Sequence, residues 1–168
     1  NHGQIYSGRA LEFDGVSDKL NFDSILFGST DKFTISTWMK AGSITVDSHI
    51  LCGKSDEASA NTVWIDIPNQ DIRFRNSSGT DHLWEDSISK DLSWHHYVIV
   101  ANGDNSMNAY QDGVSLGTSG ESVVSTIEIN EIGGSYSAGA QRLNGSLSNF
   151  QVWDAAWTAD DALYDYLN

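Results

Sequence analysis

The sequence contains little cysteine, little proline and few basic residues. Its 168 residues include one cysteine, one proline, and nine Lys and Arg against 23 Asp and Glu. A single cysteine, Cys52, excludes an intramolecular disulfide framework, and its apolar neighbours predict a buried, inert thiol. No apolar run approaches the roughly 20 residues that a membrane-spanning helix needs, so membrane insertion is not expected.

The formal charge of −14 argues against partners that are themselves negatively charged. Nucleic-acid binding depends on Lys and Arg that neutralise phosphates, and attraction to anionic membranes depends on the same cations. The acidic balance excludes both and favours cations. A hydrophobic share of 39% predicts one globular domain over residues 1–168. The polar first residues predict that this domain comes from a larger protein with neighbouring domains.

Period-two alternation dominates the sequence and predicts an all-β fold. Residues 32–40, 61–67 and 71–75 place apolar side chains at every second position, which is typical of half-buried antiparallel strands. The further predicted strands are 10–14, 18–22, 47–52, 81–86, 95–101, 106–111, 114–117, 126–132 and 146–153. A dozen short strands with Asp-Gly and Asn-Gly turns predict a sandwich of two antiparallel sheets. Thr158, followed three residues later by Asp161, predicts a short C-terminal helix with a capping box.

Two adjacent histidines in WHHYVIV suggest a metal or catalytic site at first sight. The segment alternates as a strand, and adjacent strand residues point to opposite faces. His95 and His96 are therefore not expected to bind one metal ion. We predict a meander of three strands from Trp94 to Thr118 instead.

Six segments, taken in order, resemble a known family. They are ALEFDG (10–15), FTISTWMK (33–40), WHHYVIV (94–100), AYQDGVSLGT (109–118), EIGGS (131–135) and LNGSLSNFQVWDAAWT (143–158). The sequence resembles laminin-G-like domains of the concanavalin-A-like superfamily, especially the bacterial type, and two of the segments resemble pentraxins. The resemblance implies a two-sheet antiparallel jelly-roll sandwich. It also implies ligand binding, often of carbohydrate and often through calcium, on extracellular, cell-surface or virion-surface proteins.

The pentraxin resemblance implies a calcium site in the loops. Asn61 matches the asparagine of the pentraxin Asp-Asn pair, and Gln141 matches its later glutamine. The aspartate of the pair and the acidic cluster are missing, but Asp56 and Glu57 lie in the same loop as Asn61. Calcium prefers six to eight oxygen ligands, including carboxylates. The alternative is a solvated loop rim.

The resemblance also implies a structural calcium at the edge of the sandwich. The first and last strands of the family tend to be neighbours, which predicts an ion between Asp14, Asp18 and Asp154. Such an ion would tie the termini together and offset repulsion among the carboxylates. The alternative is that Asp14 caps its own Asp-Gly turn.

An aromatic platform is a third predicted site. If the aliphatic residues of strands 61–67, 71–75 and 81–86, Leu83 among them, face the core, six polar and aromatic side chains face outward. They are Trp64, Asp66, Arg73, Arg75, His82 and Trp84. Tryptophan faces stack on pyranose rings, and polar side chains bind hydroxyls. We predict ligand contacts at Trp64, Arg75, His82 and Trp84, with Asn61, Tyr136 and Gln141 in the adjoining loops. The alternative is that a loop covers these side chains and they form a secondary core.

Catalysis is a remote alternative. Related laminarinase-type glycoside hydrolases carry two glutamates around an aspartate on one strand, and TIEINEIGG offers Glu128 and Glu131 around Asn130. The central residue does not match, and no other catalytic motif is present. We therefore predict a non-catalytic, extracellular binding module for carbohydrate or another surface ligand, with calcium as a possible cofactor, in an adhesin or similar protein. A self-associating structural domain without a small ligand is the main alternative.

Overall fold

The computed structural model of the protein describes residues 10–45, 49–54, 60–119, 126–134 and 142–168, and for His49 and Ile50 it describes the backbone only. Within these ranges the chain forms twelve strands and one helix. The strands are β1 Leu11–Asp14, β2 Leu20–Phe27, β3 Lys32–Ala41, β4 His49–Gly53, β5 Thr62–Asp66, β6 Asp71–Arg75, β7 Asp81–Trp84, β8 Trp94–Asn102, β9 Met107–Gln111, β10 Val114–Ser119, β11 Ile127–Ile132 and β12 Asn144–Trp153. The helix, α1, spans Ala159–Leu167.

The strands form two antiparallel sheets of six strands each. The first sheet has the order β1-β12-β3-β8-β9-β10, and the second has the order β2-β11-β4-β5-β6-β7. The chain crosses repeatedly between the sheets, as in a jelly roll. The first and last strands are neighbours, with Leu11 opposite Leu147.

The hydrophobic core lies between the sheets and is formed by alternate residues of the strands. Phe33 of the first sheet stacks on Phe27 of the second at a centroid separation of 4.5 Å. Fully burying an aliphatic or aromatic side chain of this kind contributes about 1.5–3 kcal/mol. Cys52 is also in this core, and burial raises the pKa of its thiol to about 12. The prediction that the thiol is buried is confirmed.

Helix α1 covers part of the outer face of the first sheet. It begins with the predicted capping box, in which Thr158 Oγ1 accepts from the Asp161 amide at 3.2 Å and Asp161 Oδ2 accepts from the Thr158 amide at 2.8 Å. Ala162 packs with Val98 and Val100 in a small second cluster. Strand β8 is therefore buried on both faces, since its alternate residues belong to the main core.

The predicted architecture is confirmed. Each of the twelve predicted strands overlaps an observed one, and the C-terminal helix lies where its capping box predicts. Strand β2 continues to Phe27, five residues beyond the predicted end. Among the described residues, the helix falls short of the length and apolar character that membrane crossing requires.

Candidate functional site

The register of the β6–β7 hairpin determines which side chains of β7 face solvent. Ile72 lies opposite Trp84, and Phe74 lies opposite His82. Directly opposed residues share a face of a sheet. His82 and Trp84 therefore point into the core, where they are 0% and 5% exposed. The prediction that both belong to an outward platform is wrong, because it is Leu83 that lies on the outer face.

Both of these side chains have hydrogen-bonded partners on the opposite sheet. Trp84 Nε1 donates to the Gly117 carbonyl at 3.1 Å, and His82 Nδ1 lies 3.0 Å from Ser119 Oγ. Buried polar groups in folded proteins are normally paired in this way. Gly117 and Ser119 belong to β10, the edge strand of the first sheet. His82 and Trp84 thus join the edges of the two sheets, which is a structural role.

Trp64 lies on the outer face of the second sheet beneath two arginines. It is opposite Arg73 in the β5–β6 ladder, and the guanidinium carbons of Arg73 and Arg75 each lie 5.1 Å from the centre of its ring. The indole is only 6% exposed, so it offers no open face for a sugar. Aromatic faces attract guanidinium groups. Trp64 therefore supports the arginines, whose side chains are 28% and 22% exposed.

Asp81 completes this cluster of Trp64, Arg73, Arg75 and Asp81, which we call the arginine face. Arg75 donates to both oxygens of Asp81, from Nε at 2.5 Å and from Nη2 at 2.7 Å, in a bidentate pair. Arg73 Nη1 lies 3.7 Å from the same carboxylate. Among the described residues, the buried Nε of Arg73 has no hydrogen-bond acceptor. One carboxylate thus faces two guanidiniums.

Asn61 lies at the end of the arginine face, directly before β5. It is buried, with a left-handed φ of 53°. Its Oδ1 accepts a hydrogen bond from the Glu128 amide at 2.9 Å, and its carbonyl accepts one from the Lys54 amide at 3.0 Å. Asn61 therefore joins β4, β5 and β11. The other residues predicted for the loop sites lie outside the described residues, and both loop sites stay predictions. They are Asp56, Glu57, Tyr136 and Gln141.

The predicted calcium site at the sandwich edge is not assembled. Asp14 lies opposite Asn144 at the start of β12, whereas Asp154 follows the far end of that strand, roughly 30 Å away at about 3.3 Å per residue. Asp14 Oδ1 instead accepts hydrogen bonds from the amides of Ser17 at 2.7 Å and Asp18 at 3.1 Å. These bonds hold the pKa of Asp14 well below its usual range. The edge site is wrong as predicted, and the turn-capping alternative is confirmed.

A metal centre of another kind is also absent from the part of the chain that the structure describes. No three His, Cys, Asp or Glu side chains there lie close enough to hold one ion. The carboxylates of the predicted loop site, Asp56 and Glu57, lie outside the described ranges.

The two glutamates of β11 are each paired with a lysine. Glu128 Oε2 lies 2.9 Å from Lys54 Nζ, and Glu131 Oε2 lies 2.7 Å from Lys19 Nζ. Hydrogen bonds from Ser24 and Lys54 lower the pKa of Glu128. A general acid in glycoside hydrolysis needs a raised pKa. This environment therefore does not prepare Glu128 for that role.

His95 and His96 point to opposite faces of β8, as the alternation predicts, since they lie opposite Met39 and Trp38. His95 Nδ1 lies 2.7 Å from Asp112 Oδ2. Its Nε2 lies 3.1 Å from a carboxylate oxygen of the preceding loop. Burial opposes the charged form, but the hydrogen bonds to these carboxylates outweigh it and raise the pKa of His95. His95 thus joins the loop before β8 to the β9–β10 turn.

His96 belongs to a Ser-His-Asp group beneath α1. Its Nε2 lies 2.9 Å from Asp165 Oδ2 and 2.9 Å from Ser36 Oγ, and Ser36 also donates to Asp165 at 2.6 Å. A catalytic triad places serine and aspartate at opposite ring nitrogens. Here both contact the same nitrogen, and Ser36 and His96 are fully buried. The group is a clamp that holds α1 on the first sheet.

Two members of the arginine face were not among the predicted ligand contacts. Arg73 lies two residues before Arg75 and therefore shares its face of β6, which the alternation already indicates. Asp81 lies opposite Arg75, but this pairing depends on the hairpin register. The sequence alone does not reveal that register.

Comparison with known proteins identifies the fold family. A model of the concanavalin A-like lectin/glucanases superfamily, of the laminin-G type, matches residues 14–162. No curated protein matches the chain.

Three solved structures illustrate the similarity. A heptameric SAP-like pentraxin from Limulus polyphemus is 19% identical with a TM-score of 0.64, over 92% of this chain and 79% of that one. Domain 4 of an extracellular arabinanase from Geobacillus stearothermophilus, solved with arabinotriose, is 15% identical with a TM-score of 0.72, over 95% and 76%. The binding domain of Paraclostridial Mosquitocidal Protein 1 is 16% identical with a TM-score of 0.56, over 96% and 48%. At these identities the likeness is one of fold.

Proposed function

The chain belongs to the concanavalin A-like lectin/glucanase superfamily, and from this premise we propose that it is a non-catalytic module that binds carbohydrate. The observation that carries the proposal is the arginine face. Two partly exposed guanidiniums lie over a nearly buried indole and share one carboxylate. Polar donors held in fixed positions orient a bound ligand and give specificity.

The arginine face would bind oxygen atoms of the ligand. A guanidinium presents a planar set of donors, and stacking on Trp64 limits the conformations of Arg73 before the ligand arrives. Asp81 fixes Arg75 and leaves oxygen lone pairs that accept from ligand hydroxyls. We propose Arg73 as the principal contact, with Arg75 and Asp81 positioning it. The loops at Asn61, with Tyr136 and Gln141, would border the ligand.

The fold relatives support a binding role. The arabinanase domain was solved with a bound trisaccharide, and the mosquitocidal protein fragment is named a binding domain. We therefore propose a glycan, or another ligand of a cell or virion surface, as the partner. We place the module in an extracellular multidomain protein such as an adhesin, with neighbouring domains in the same chain.

The environments of the candidate acids support a non-catalytic role. Glu128 and Glu131 are each paired with a lysine, and the pKa of Glu128 is lowered. The protein is expected to release no reducing sugar from any polysaccharide that it binds. Release that disappears in Glu128→Gln would contradict this part of the proposal.

Affinity electrophoresis tests the binding role. The wild type is run through gels that contain soluble polysaccharides, beside Arg73→Ala and Lys40→Ala. Both substitutions remove one positive charge, but Lys40 is exposed on β3 of the first sheet. We expect one or more polysaccharides to retard the wild type and Lys40→Ala alike, and to retard Arg73→Ala less. No retardation of the wild type by any polysaccharide would contradict the proposal.

Self-association is a second candidate function, favoured by exposed leucines on edge strands. Leu11 on β1 is 52% exposed, and Leu26 on β2 is 66% exposed. Edge strands offer unpaired backbone groups to a second chain, and the pentraxin relative is heptameric. Size-exclusion chromatography with light scattering, with and without calcium, separates the two functions. A stable oligomer that Leu26→Lys dissociates would favour self-association, and a monomer under both conditions would exclude it.

A further inference from the structure

Trp153 is the most exposed tryptophan in the described part of the chain. It ends β12 on the outer face of the first sheet, opposite Thr34, and is 47% exposed. Exposed tryptophan is unusual, because its large apolar surface is normally buried. The two tryptophans predicted as a sugar platform, Trp64 and Trp84, are both nearly buried. The accessible indole thus lies on the sheet opposite the arginine face.

The indole of Trp153 is held in place by hydrogen bonds. Its Nε1 donates to Gln151 Oε1 at 3.0 Å, and Gln151 Nε2 donates to Asp165 Oδ1 at 3.4 Å. Asp165 is itself bonded to the buried His96. This relay satisfies the polar edge of the indole and limits its rotation. A preorganised side chain loses less conformational entropy when a ligand binds.

Trp157 supports the ring from the side of α1. The two ring centroids lie 5.7 Å apart at an angle of 50°. Trp157 is only partly exposed and packs against the cluster of Val98, Val100 and Tyr110. One indole is therefore anchored in a small core, while the other lies beside it with nearly half of its surface open.

The charge around the two rings favours a neutral ligand rich in hydroxyls. Residues 153–168 include four aspartates and no basic residue. Asp154, directly after Trp153, is exposed. Carboxylates accept hydrogen bonds from hydroxyls but repel an acidic sugar. A pyranose combines an apolar C–H face, which fits an indole, with hydroxyls at its rim.

We propose that Trp153, backed by Trp157, is a stacking platform for a neutral pyranose, a second sugar site on the opposite sheet from the arginine face. The proposal rests on the proposed function in that the ligand is a sugar. This site differs from the arginine face in the sheet on which it lies, in its contact residues and in the expected charge of its ligand. Asp154 would accept from hydroxyls of the stacked ring.

The test uses neutral gluco-, manno- and galacto-oligosaccharides as probes. Indole N–H signals of the ¹⁵N-labelled domain are followed by NMR during titration, and Trp153→Phe identifies the signal of Trp153. Affinities are measured for the wild type, Trp153→Ala and Trp153→Phe. Tyr164→Ala is the matched control, because Tyr164 is 70% exposed on α1. Arg73→Ala reports on the other sheet.

We expect a neutral oligosaccharide to shift the Trp153 signal and Trp153→Ala to weaken its binding about tenfold, the equivalent of 1.4 kcal/mol. Trp153→Phe should restore most of the affinity, and Tyr164→Ala should bind like the wild type. An oligosaccharide that binds without moving the Trp153 signal, and equally well to Trp153→Ala, would overturn this proposal. If Arg73→Ala alone weakened that binding, the proposed function would stand. If none of these neutral oligosaccharides bound the wild type, this proposal would fall, and the polysaccharide gels would still decide the proposed function.

Discussion

Trp64 and Arg73 lie opposite each other across the β5–β6 ladder, with the guanidinium carbon 5.1 Å from the centre of the indole. The tryptophan is nearly buried and the arginine is partly exposed. The indole thus supports the arginine from beneath the surface, and the guanidinium presents the hydrogen-bond donors to solvent. This relationship replaces the predicted open platform of stacking tryptophans with a polar site on an aromatic support.

The inward orientation of Trp84 predicts a large difference between two neighbouring substitutions. Trp84→Ala should lower the free energy of unfolding by about 3–5 kcal/mol, since it removes a buried aromatic side chain and leaves a cavity. Leu83→Ala, on the outer face, should lower it by about 1 kcal/mol or less. Urea unfolding of both variants measures the difference. A larger loss of unfolding free energy for Leu83→Ala than for Trp84→Ala would contradict this orientation and indicate that Leu83 faces the core.

The clamp beneath α1 predicts that the helix depends on Asp165. Asp165→Ala leaves the buried His96 and Ser36 without their shared acceptor and should lower the free energy of unfolding by about 1–3 kcal/mol. Asp160→Ala, exposed in the first turn of α1, should have a much smaller effect. Thermal unfolding and the rate of proteolysis at the C-terminus provide the measurements. Equal effects of the two substitutions would argue against the clamp.

Local patterns were sufficient to predict the strands, the two-sheet fold and the capped helix. Alternation identifies strands because it follows from the backbone, and Thr158 with Asp161 defines the helix start because both partners are close in sequence. Alternation alone does not show which side chains of β7 face the core. In DHLW either Leu83 or the pair of His82 and Trp84 can face the core, and only pairing with β6 decides.

The candidate sites were harder to predict than the fold because they depend on contacts between distant segments. The predicted edge site at Asp14 and Asp154 depends on the first and last strands being neighbours, which they are. The antiparallel direction of their pairing, however, places the two aspartates at opposite ends of β12. Trp153 was not recognised as exposed, because alternation does not show that α1 leaves the end of β12 uncovered. Its exposure becomes visible only once the helix is in place.

His95 predicts a pH dependence of stability. Its folded-state pKa is raised above 6.5, so the stabilisation is fully present below 6.5 and is lost as the pH rises through the folded pKa. The melting temperature of the wild type should therefore exceed that of His95→Gln most at acidic pH and approach it above neutrality. Melting curves of both proteins between about pH 5.5 and 8.5 measure this. A difference that stays constant across the range would exclude His95 as the titrating group.

The loop calcium prediction requires that millimolar calcium raise the melting temperature relative to EDTA, because an ion that binds only the folded state stabilises it. The double substitution Asp56→Asn with Glu57→Gln should remove the rise. Asp14→Asn is the control, since that carboxylate is engaged in its own turn, and it should keep the rise. A wild type that melts at the same temperature in calcium and in EDTA would rule the site out.

The most direct test of the proposed function is a glycan array probed with the wild-type domain and with Arg73→Ala. We predict reproducible binding of the wild type to a defined set of glycans and a reduced signal for Arg73→Ala on part of that set. An array on which the wild type binds no glycan above background, in calcium and in EDTA alike, would contradict a carbohydrate-binding role and leave self-association as the function to pursue.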